Sequence, residues 1–188
     1  MRALIFVVLF CGCSLTERST PVPNRYFTPE IPTAHASAEH GTIPLRLDRV
    51  TSSSALRDRI VHRDSPVELG MYETLRWTDN PEVFVRESLD RALFERGPFR
   101  SDTDEDTPAL DIDVLAFEEA RSGHARAGLV RLRWHLNQDG KTIASGVASA
   151  EKPARANDID SIVVAISNAL REATSQVVRD VLAQIKTG

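Results

Sequence analysis

The sequence has few of the residues that disulfide scaffolds, zinc proteins and nucleic-acid-binding proteins require. Its only two cysteines, Cys11 and Cys13, both lie within the first 13 of 188 residues. No disulfide framework can be built from them, and no histidines or cysteines follow a zinc-ligand spacing. The 23 basic and 27 acidic residues give a formal net charge of −4, which offers no basic excess for nucleic acid. We therefore expect no metal site and no nucleic-acid partner.

Catalytic motifs are also missing. No serine lies in a Gly-x-Ser-x-Gly elbow, and no glycine-rich phosphate loop is present. Asp111 and Asp113 could in principle do acid and base chemistry, but carboxylates two apart on a strand more often serve only to solvate it. The acidic loop 101–108 lacks the EF-hand spacing, and His35 and His40 are better explained as solvated linker residues. We expect no catalytic residues, no cofactor and no enzymatic activity.

The longest uninterrupted apolar run is short and lies at the N-terminus. Residues 3–10 are apolar and follow Arg2, which is typical of an export signal, and they are too few for the roughly 20 residues that span a bilayer. Gly12 provides the small residue that signal peptidase II needs before the cysteine at which it cleaves. An ordinary export signal or a buried strand is the alternative. The pattern predicts a signal peptide over 1–12 and lipidation of Cys13.

The segment after Cys13 is rich in proline and polar residues. Residues 14–42 contain Pro21, Pro23, Pro29 and Pro32 among few large apolar side chains. This composition predicts a flexible tether, so that residues 13–42 form a lipidated N-terminus and linker. Ser14 is not the aspartate that retains many lipoproteins in the inner membrane, which favours the outer membrane as the destination.

Residues 43–188 have the length of one domain with its own core. Alternating apolar positions predict strands at 43–48, 59–63, 67–71, 110–114 and 130–136. The second and third of these are expected to form a hairpin. Another hairpin is expected at the dipeptide Asp139-Gly140, a strong signal for a tight turn.

Two helices are predicted in the same domain. Asn80 and Pro81 suit the start of the first, which should run over 81–96 and end before Gly97. The second should run over 157–186 with Asn157 as its cap, and its apolar stripe is longer than a sheet of ordinary strands can cover. Part of that stripe is therefore expected to meet another surface. The predicted fold is a single α/β (α+β) domain, an antiparallel sheet with two main helices packed on one face.

Several segments together resemble a known family. They are Cys13-Ser14, Pro23-Asn24-Arg25-Tyr26-Phe27, the strand Leu56–Arg63, Arg76-Trp77 and the strand Leu110–Phe117. In this order and spacing they are similar to the ABC-type transport auxiliary lipoproteins, to which the paraquat-inducible protein C lipoproteins belong. The resemblance covers nearly the whole chain.

The resemblance implies a function. Proteins of this kind are not enzymes; they connect an inner-membrane ABC transporter carrying MCE (mammalian cell entry) domains to the outer membrane. The implied role is an outer-membrane lipoprotein, facing the periplasm, that docks a phospholipid-transport assembly. Its expected partners are a periplasmic MCE-domain protein and the membrane that holds its lipid anchor, and self-association stays open. The alternative is a lipid-binding or envelope-assembly lipoprotein that acts alone.

A partner-binding surface is expected on the strand 56–63. Apolar Leu56 and Ile60 alternate there with Arg57, Arg59 and Arg63. Arginine beside apolar anchors is typical of interface centres. The alternative is that the apolar residues belong to an ordinary buried strand.

Overall fold

The computed structural model describes residues 22–31 and 41–187. The predicted signal peptide, Cys13 and part of the predicted tether lie outside these residues. The strands are β1 (Arg25–Phe27), β2 (Ile43–Ser52), β3 (Arg59–Ser65), β4 (Glu68–Trp77), β5 (Phe99–Ser101), β6 (Ala109–Ser122), β7 (Ala125–Gln138) and β8 (Lys141–Pro153). The helices are α1 (Pro81–Asp90), which continues as a π-helical turn over Arg91–Glu95, and α2 (Ile159–Thr187). The predicted α/β class is confirmed.

The sheet is organised around β6. One edge of β6 pairs antiparallel with β7, which pairs antiparallel with β8. The other edge pairs with two parallel strands in succession, first β2 and then β3. β3 continues through antiparallel β4 to parallel β1, and β2 pairs with parallel β5. The sheet is therefore mixed rather than wholly antiparallel, because the long connection through α1 between β4 and β6 permits parallel pairing.

Local turn signals give the hairpins their predicted positions. β3 and β4 pair as expected, and the turn between β7 and β8 consists of Asp139 and Gly140 with positive φ values of 52° and 71°. A two-residue turn with both residues in the left-handed region matches the twist of the strands it joins. Aspartate and glycine tolerate that region, so this local sequence determines the register of β8.

α2 packs along one face of the sheet. Its stripe is buried at Ile162, Ile166, Leu170, Val177 and Val181. The expectation that part of it would meet another surface is wrong, because β7 and β8 have 14 and 13 residues. At about 3.3 Å per residue they extend over roughly 45 Å, far beyond an ordinary strand. The stripe is covered by the domain's own core.

The helix starts differ slightly from the predictions. Asn80 precedes α1 in extended conformation, but its side chain makes no capping hydrogen bond. At α2 the cap is Asp158 rather than Asn157, since Asp158 Oδ1 accepts a hydrogen bond of 2.8 Å from the backbone N–H of Ser161. A carboxylate at this position also interacts favourably with the helix dipole.

The predicted tether is in part a piece of the domain. Residues Arg25–Phe27 pair with β4, and Ile31 packs against the hydrophobic core. The backbone N–H of Glu30 donates a 2.9 Å hydrogen bond to Ser167 Oγ in α2, and Arg91 Nη1 donates one of 2.8 Å to the carbonyl of Ile31. The boundary at residue 43 is therefore wrong for residues 25–31, because a polar, proline-rich composition does not reveal docking by a few apolar side chains.

Candidate docking surface

The apolar residues of the surface predicted on the strand 56–63 are buried in the structure. Leu56 is 3% exposed and Ile60 is fully buried, so neither can contact a partner. Arg63 is held by the buried Glu118, with 2.5 Å between its Nε and Oε1. Arg57 and Arg59 are exposed. The prediction is wrong for Leu56 and Ile60, because strand alternation cannot tell which face of a central strand is covered, and here the consecutive Ile60 and Val61 are both buried.

A buried ionic cluster lies at the end of the sheet where β3, β4, β6 and β7 meet. Glu119 is fully buried, and its Oε1 lies 3.0 Å from Arg121 Nε and 3.1 Å from Arg126 Nε. Its Oε2 accepts hydrogen bonds from the Tyr72 hydroxyl at 2.7 Å and from Arg121 Nη2 at 3.0 Å. The carboxylate is thus paired at both oxygens, as a buried charge requires.

The same cluster shifts the ionisation of its members. Burial raises the pKa of Tyr72, and the hydrogen bond to Glu119 raises it further. Burial lowers the pKa of Arg121, but its bonds to Glu119 and Tyr72 outweigh that effect and hold the pKa above its usual value. Asp64 also belongs to the cluster: its Oδ2 lies 2.6 Å from His62 Nδ1, and its Oδ1 lies 3.1 Å from Arg121 Nη1. These mutual pairings fit a structural clamp better than a reactive site. The sequence signal was the adjacent pair Glu118-Glu119, which directly follows the apolar run Leu115–Phe117.

The face of the sheet opposite α2 carries the two aspartates considered as catalytic candidates. Asp111 accepts hydrogen bonds from Arg49 Nη2 at 3.1 Å and from Asn137 Nδ2 at 2.9 Å. Burial raises the pKa of Asp111, but the bonds from Arg49 outweigh it and leave the pKa below its usual range. Asp113 accepts a hydrogen bond from the Thr51 hydroxyl at 2.8 Å. An ionised, paired carboxylate of low pKa is a poor general acid or base at neutral pH.

Two open grooves of about 510 Å³ each indent the domain. The first lies beside Asp111 and is lined mainly by charged and amide side chains, among them Arg46, Asp48, Glu105 and Asn137. The second lies at the β6–β7 turn and combines small apolar residues with charged groups. An acyl chain is best held in an enclosed apolar cavity. Neither groove offers such an environment.

One exposed apolar patch lies on β7 and β8. We call it the β8 surface and define it by Arg131, Arg133, Ile143 and Val147. Ile143 is 54% exposed and Val147 is 49% exposed. Arg133 lies directly across the strand pair from Val147. Both arginines are exposed, and neither forms an ion pair or side-chain hydrogen bond with the described part of the chain. The combination expected at 56–63 is thus found on this hairpin.

The described residues form neither a membrane-spanning helix nor a metal centre. Across 22–31 and 41–187, neither helix has the length and apolar character to cross a membrane. The same ranges contain no group of three or more His, Cys, Asp or Glu side chains placed to hold a metal ion.

Comparison with known proteins gives one family and several related folds. Residues 27–178 match the model of the family described as the ABC-type transport auxiliary lipoprotein component. The fold is similar to a crystal structure of a Xanthomonas campestris protein assigned to the family DUF330, at a TM-score of 0.73 and 21% identity over 87% of this chain and 98% of that one. A crystal structure of an uncharacterized protein has a TM-score of 0.66 at 15% identity, covering 85% and 99% of the two chains. None of the curated proteins compared with the chain matches it.

Proposed function

The chain belongs to the family of ABC-type transport auxiliary lipoprotein components, and from that membership we propose that it docks an MCE-type phospholipid transporter at the outer membrane. In this role the lipid on Cys13 holds the protein to the membrane, and the domain binds a periplasmic MCE-domain protein. The protein performs no catalysis and needs no cofactor. The protein contributes by holding one end of the transport assembly in place at the membrane.

The observation that carries the proposal is the difference between the two faces of the sheet. One face is covered by α2 and α1. On the other face no described helix lies, and Ile143 and Val147 are exposed there, with Val147 beside Arg133, which forms no ion pair within the described residues. Exposed apolar side chains with adjacent arginine are characteristic of protein-binding surfaces. A docking component needs such a surface, and a soluble carrier does not.

The grooves support docking over carriage of lipid by this chain alone. Both described grooves are open and carry several charged side chains. A phospholipid carrier has to shield two acyl chains from water, which requires an apolar cavity of several hundred cubic ångströms. Asp111, which lines the first groove, is already hydrogen-bonded to Arg49 and Asn137, and Asp113 on the same strand is hydrogen-bonded to Thr51.

The proposal is tested by purifying the tagged full-length lipoprotein from its own organism in mild detergent. We expect an MCE-domain protein to co-purify with it, identified by mass spectrometry and then reproduced with the two purified proteins. A tagged lipoprotein of unrelated fold, expressed in the same strain, controls for detergent carry-over. If the protein instead carries bound phospholipid and no transporter component, the stand-alone lipid-binding alternative is correct.

A further inference from the structure

The outer edge of β8 is the longest unpaired strand edge among the described residues. β8 spans Lys141–Pro153 and, of the described strands, pairs only with β7, so no described strand lies beside its other edge. The remaining edge strands, β1 and β5, have three residues each. A long free edge offers a row of backbone donors and acceptors that another extended chain can pair with.

One hydrogen bond shows which residues direct their backbone outward. The N–H of Ser149 donates to Gln176 Oε1 of α2 at 3.2 Å, so it points away from β7. Alternate residues of a strand direct their N–H and C=O groups to the same edge. The register between β7 and β8 is regular from Ala144 to Pro153, so Ser145 and Val147 also point outward. Gln176 occupies the edge at Ser149, which leaves the stretch from Ile143 to Val147 free.

The side chains of this free stretch suit a partner strand. Ile143 and Val147 are each about half exposed, and Ser145 between them is exposed too. Strand addition gains affinity from backbone hydrogen bonds and specificity from such alternating side chains. The residues from Ile143 to Val147 include no charged side chain and no proline, two of the features that protect exposed strands. The pairing with β7 is irregular only at the start of this stretch, between Leu136 and Asn137.

Charge defines the chemistry of the partner. The hairpin of residues 125–153 contains five basic and two acidic residues, a net charge of +3, in a chain whose overall charge is −4. Arg131 and Arg133 lie on β7, one strand in from the free edge, and Lys141 begins β8. An acidic segment is attracted to this edge, whereas a second β8 brings the same positive charge and is repelled.

The geometry points to the edge of β8 from Ile143 to Val147 as the docking site for an acidic, extended segment of the periplasmic partner, which adds to the sheet as a further strand. This inference rests on the proposed function, because it assigns the partner to that transporter component. It places the partner's backbone against Ser145 and Val147 and its carboxylates against Arg131 and Arg133.

The inference is tested by hydrogen exchange on the purified full-length protein, alone and with the MCE-domain protein of its own organism. We expect the amides of Ser145 and Val147 to exchange more slowly in the complex. We also expect the double variant Arg131→Glu/Arg133→Glu to bind roughly tenfold more weakly or worse, with less salt dependence. Arg96→Glu is the control, at an exposed arginine that follows the π-helical turn and lies outside both candidate surfaces, and it should bind as the wild type does.

A second pair of variants separates backbone pairing from side-chain contact. Val147→Pro removes an outward N–H without touching the hydrogen bonds to β7 and should abolish binding, whereas Val147→Thr keeps the N–H and should largely retain it. If Val147→Pro does not fold, the exchange data on the wild type still decide.

The outcomes distinguish the two proposals. A complex that leaves Ser145 and Val147 unprotected, or that tolerates the double arginine reversal, overturns this inference alone and leaves the docking function intact. If no complex forms, the proposed function and this inference both fail. Protection of the two amides in the protein alone, increasing with its concentration, would show that a second copy occupies the edge and would overturn the assignment to an acidic partner.

Discussion

Gly128 of β7 lies directly against the backbone of Ile166 in α2. A Cβ atom added at Gly128 would overlap the Ile166 nitrogen and the carbonyl carbon of Ala165. The glycine thus lets the first half of the helix approach the sheet more closely than any other residue would allow, and Ile166 is fully buried there. The position of α2 over β7 depends on a missing side chain.

Gly128→Ala should therefore destabilise the domain. The added methyl group has backbone rather than flexible side chain in front of it, so α2 must shift and its buried stripe must repack, at a cost of about 1–3 kcal/mol or more. The measurement is the urea midpoint of unfolding. Ser145→Ala, on the exposed face of β8, is the control and should change stability by less than about 0.5 kcal/mol. Equal midpoints would mean that the helix is not seated as described.

Glu119→Ala should be among the most destabilising single changes. It leaves Arg121 and Arg126 without the carboxylate that both contact in the buried cluster. Arg126 then loses its ion pair, and Arg121 keeps only its ion pair with Asp64. Breaking a buried ion pair costs about 3–5 kcal/mol, because a charge is left without its partner. Thermal melting checks the prediction, with Glu151→Ala on exposed β8 as the control. If Glu119→Ala and Glu151→Ala lowered the melting temperature by the same small amount, the cluster would be hydrated rather than buried.

The raised pKa of Tyr72 predicts that the protein loses stability at alkaline pH. Its pKa is raised in the folded protein by burial and by Glu119. A group whose folded pKa exceeds its unfolded value of about 10 contributes stability that is complete below pH 10 and is lost as the pH rises through the folded pKa. The free energy of unfolding of the wild type should therefore fall above pH 10. That of the Tyr72→Phe variant should fall less steeply over the same range. Tyr26→Phe, at a residue 63% exposed, should follow the wild type; matching slopes for all three would contradict the assignment.

Cys13→Ala should abolish incorporation of labelled fatty acid and release the protein from membranes. Each buried methylene of an acyl chain contributes about 0.8 kcal/mol, and three chains on Cys13 are the expected anchor. Cys11→Ala should change neither property. Fractionation of the envelope on a sucrose gradient would then place the wild-type protein in the outer or the inner membrane. Label retained by the Cys13 variant would contradict lipidation at that residue.

Features that depend on a few neighbouring residues were predictable from the sequence. The turn at Asp139-Gly140, the start of α1 at Pro81 and the stripe of α2 each follow from local chemistry. Features that depend on distant pairing were not. Nothing near β6 indicates that two parallel strands share one of its edges, and strand lengths of 13 and 14 residues cannot be read from apolar runs interrupted by arginines.

The candidate site shows the same limit. The sequence indicated that a partner surface would combine arginine with apolar residues, but it placed that surface on Leu56 and Ile60, which are buried. The structure has the same combination at Val147 and Arg133, which are brought together only by the pairing of β7 with β8. Exposure, rather than residue type, separates the two segments, and exposure depends on contacts that are remote in sequence.

The pairing of residues 25–27 with β4 also limits how far the domain could lie from the lipid expected on Cys13. With β1 paired to β4, the chain between Cys13 and the first paired residue ends at Arg25 instead of Ile43, and its greatest possible span falls from about 100 Å to about 40 Å at 3.3–3.6 Å per residue. β1 and β8 lie at opposite ends of the strand order. A lipid on Cys13 would therefore keep the β1 side of the domain closer to the bilayer than the β8 edge, so the anchor would orient the domain as well as retain it.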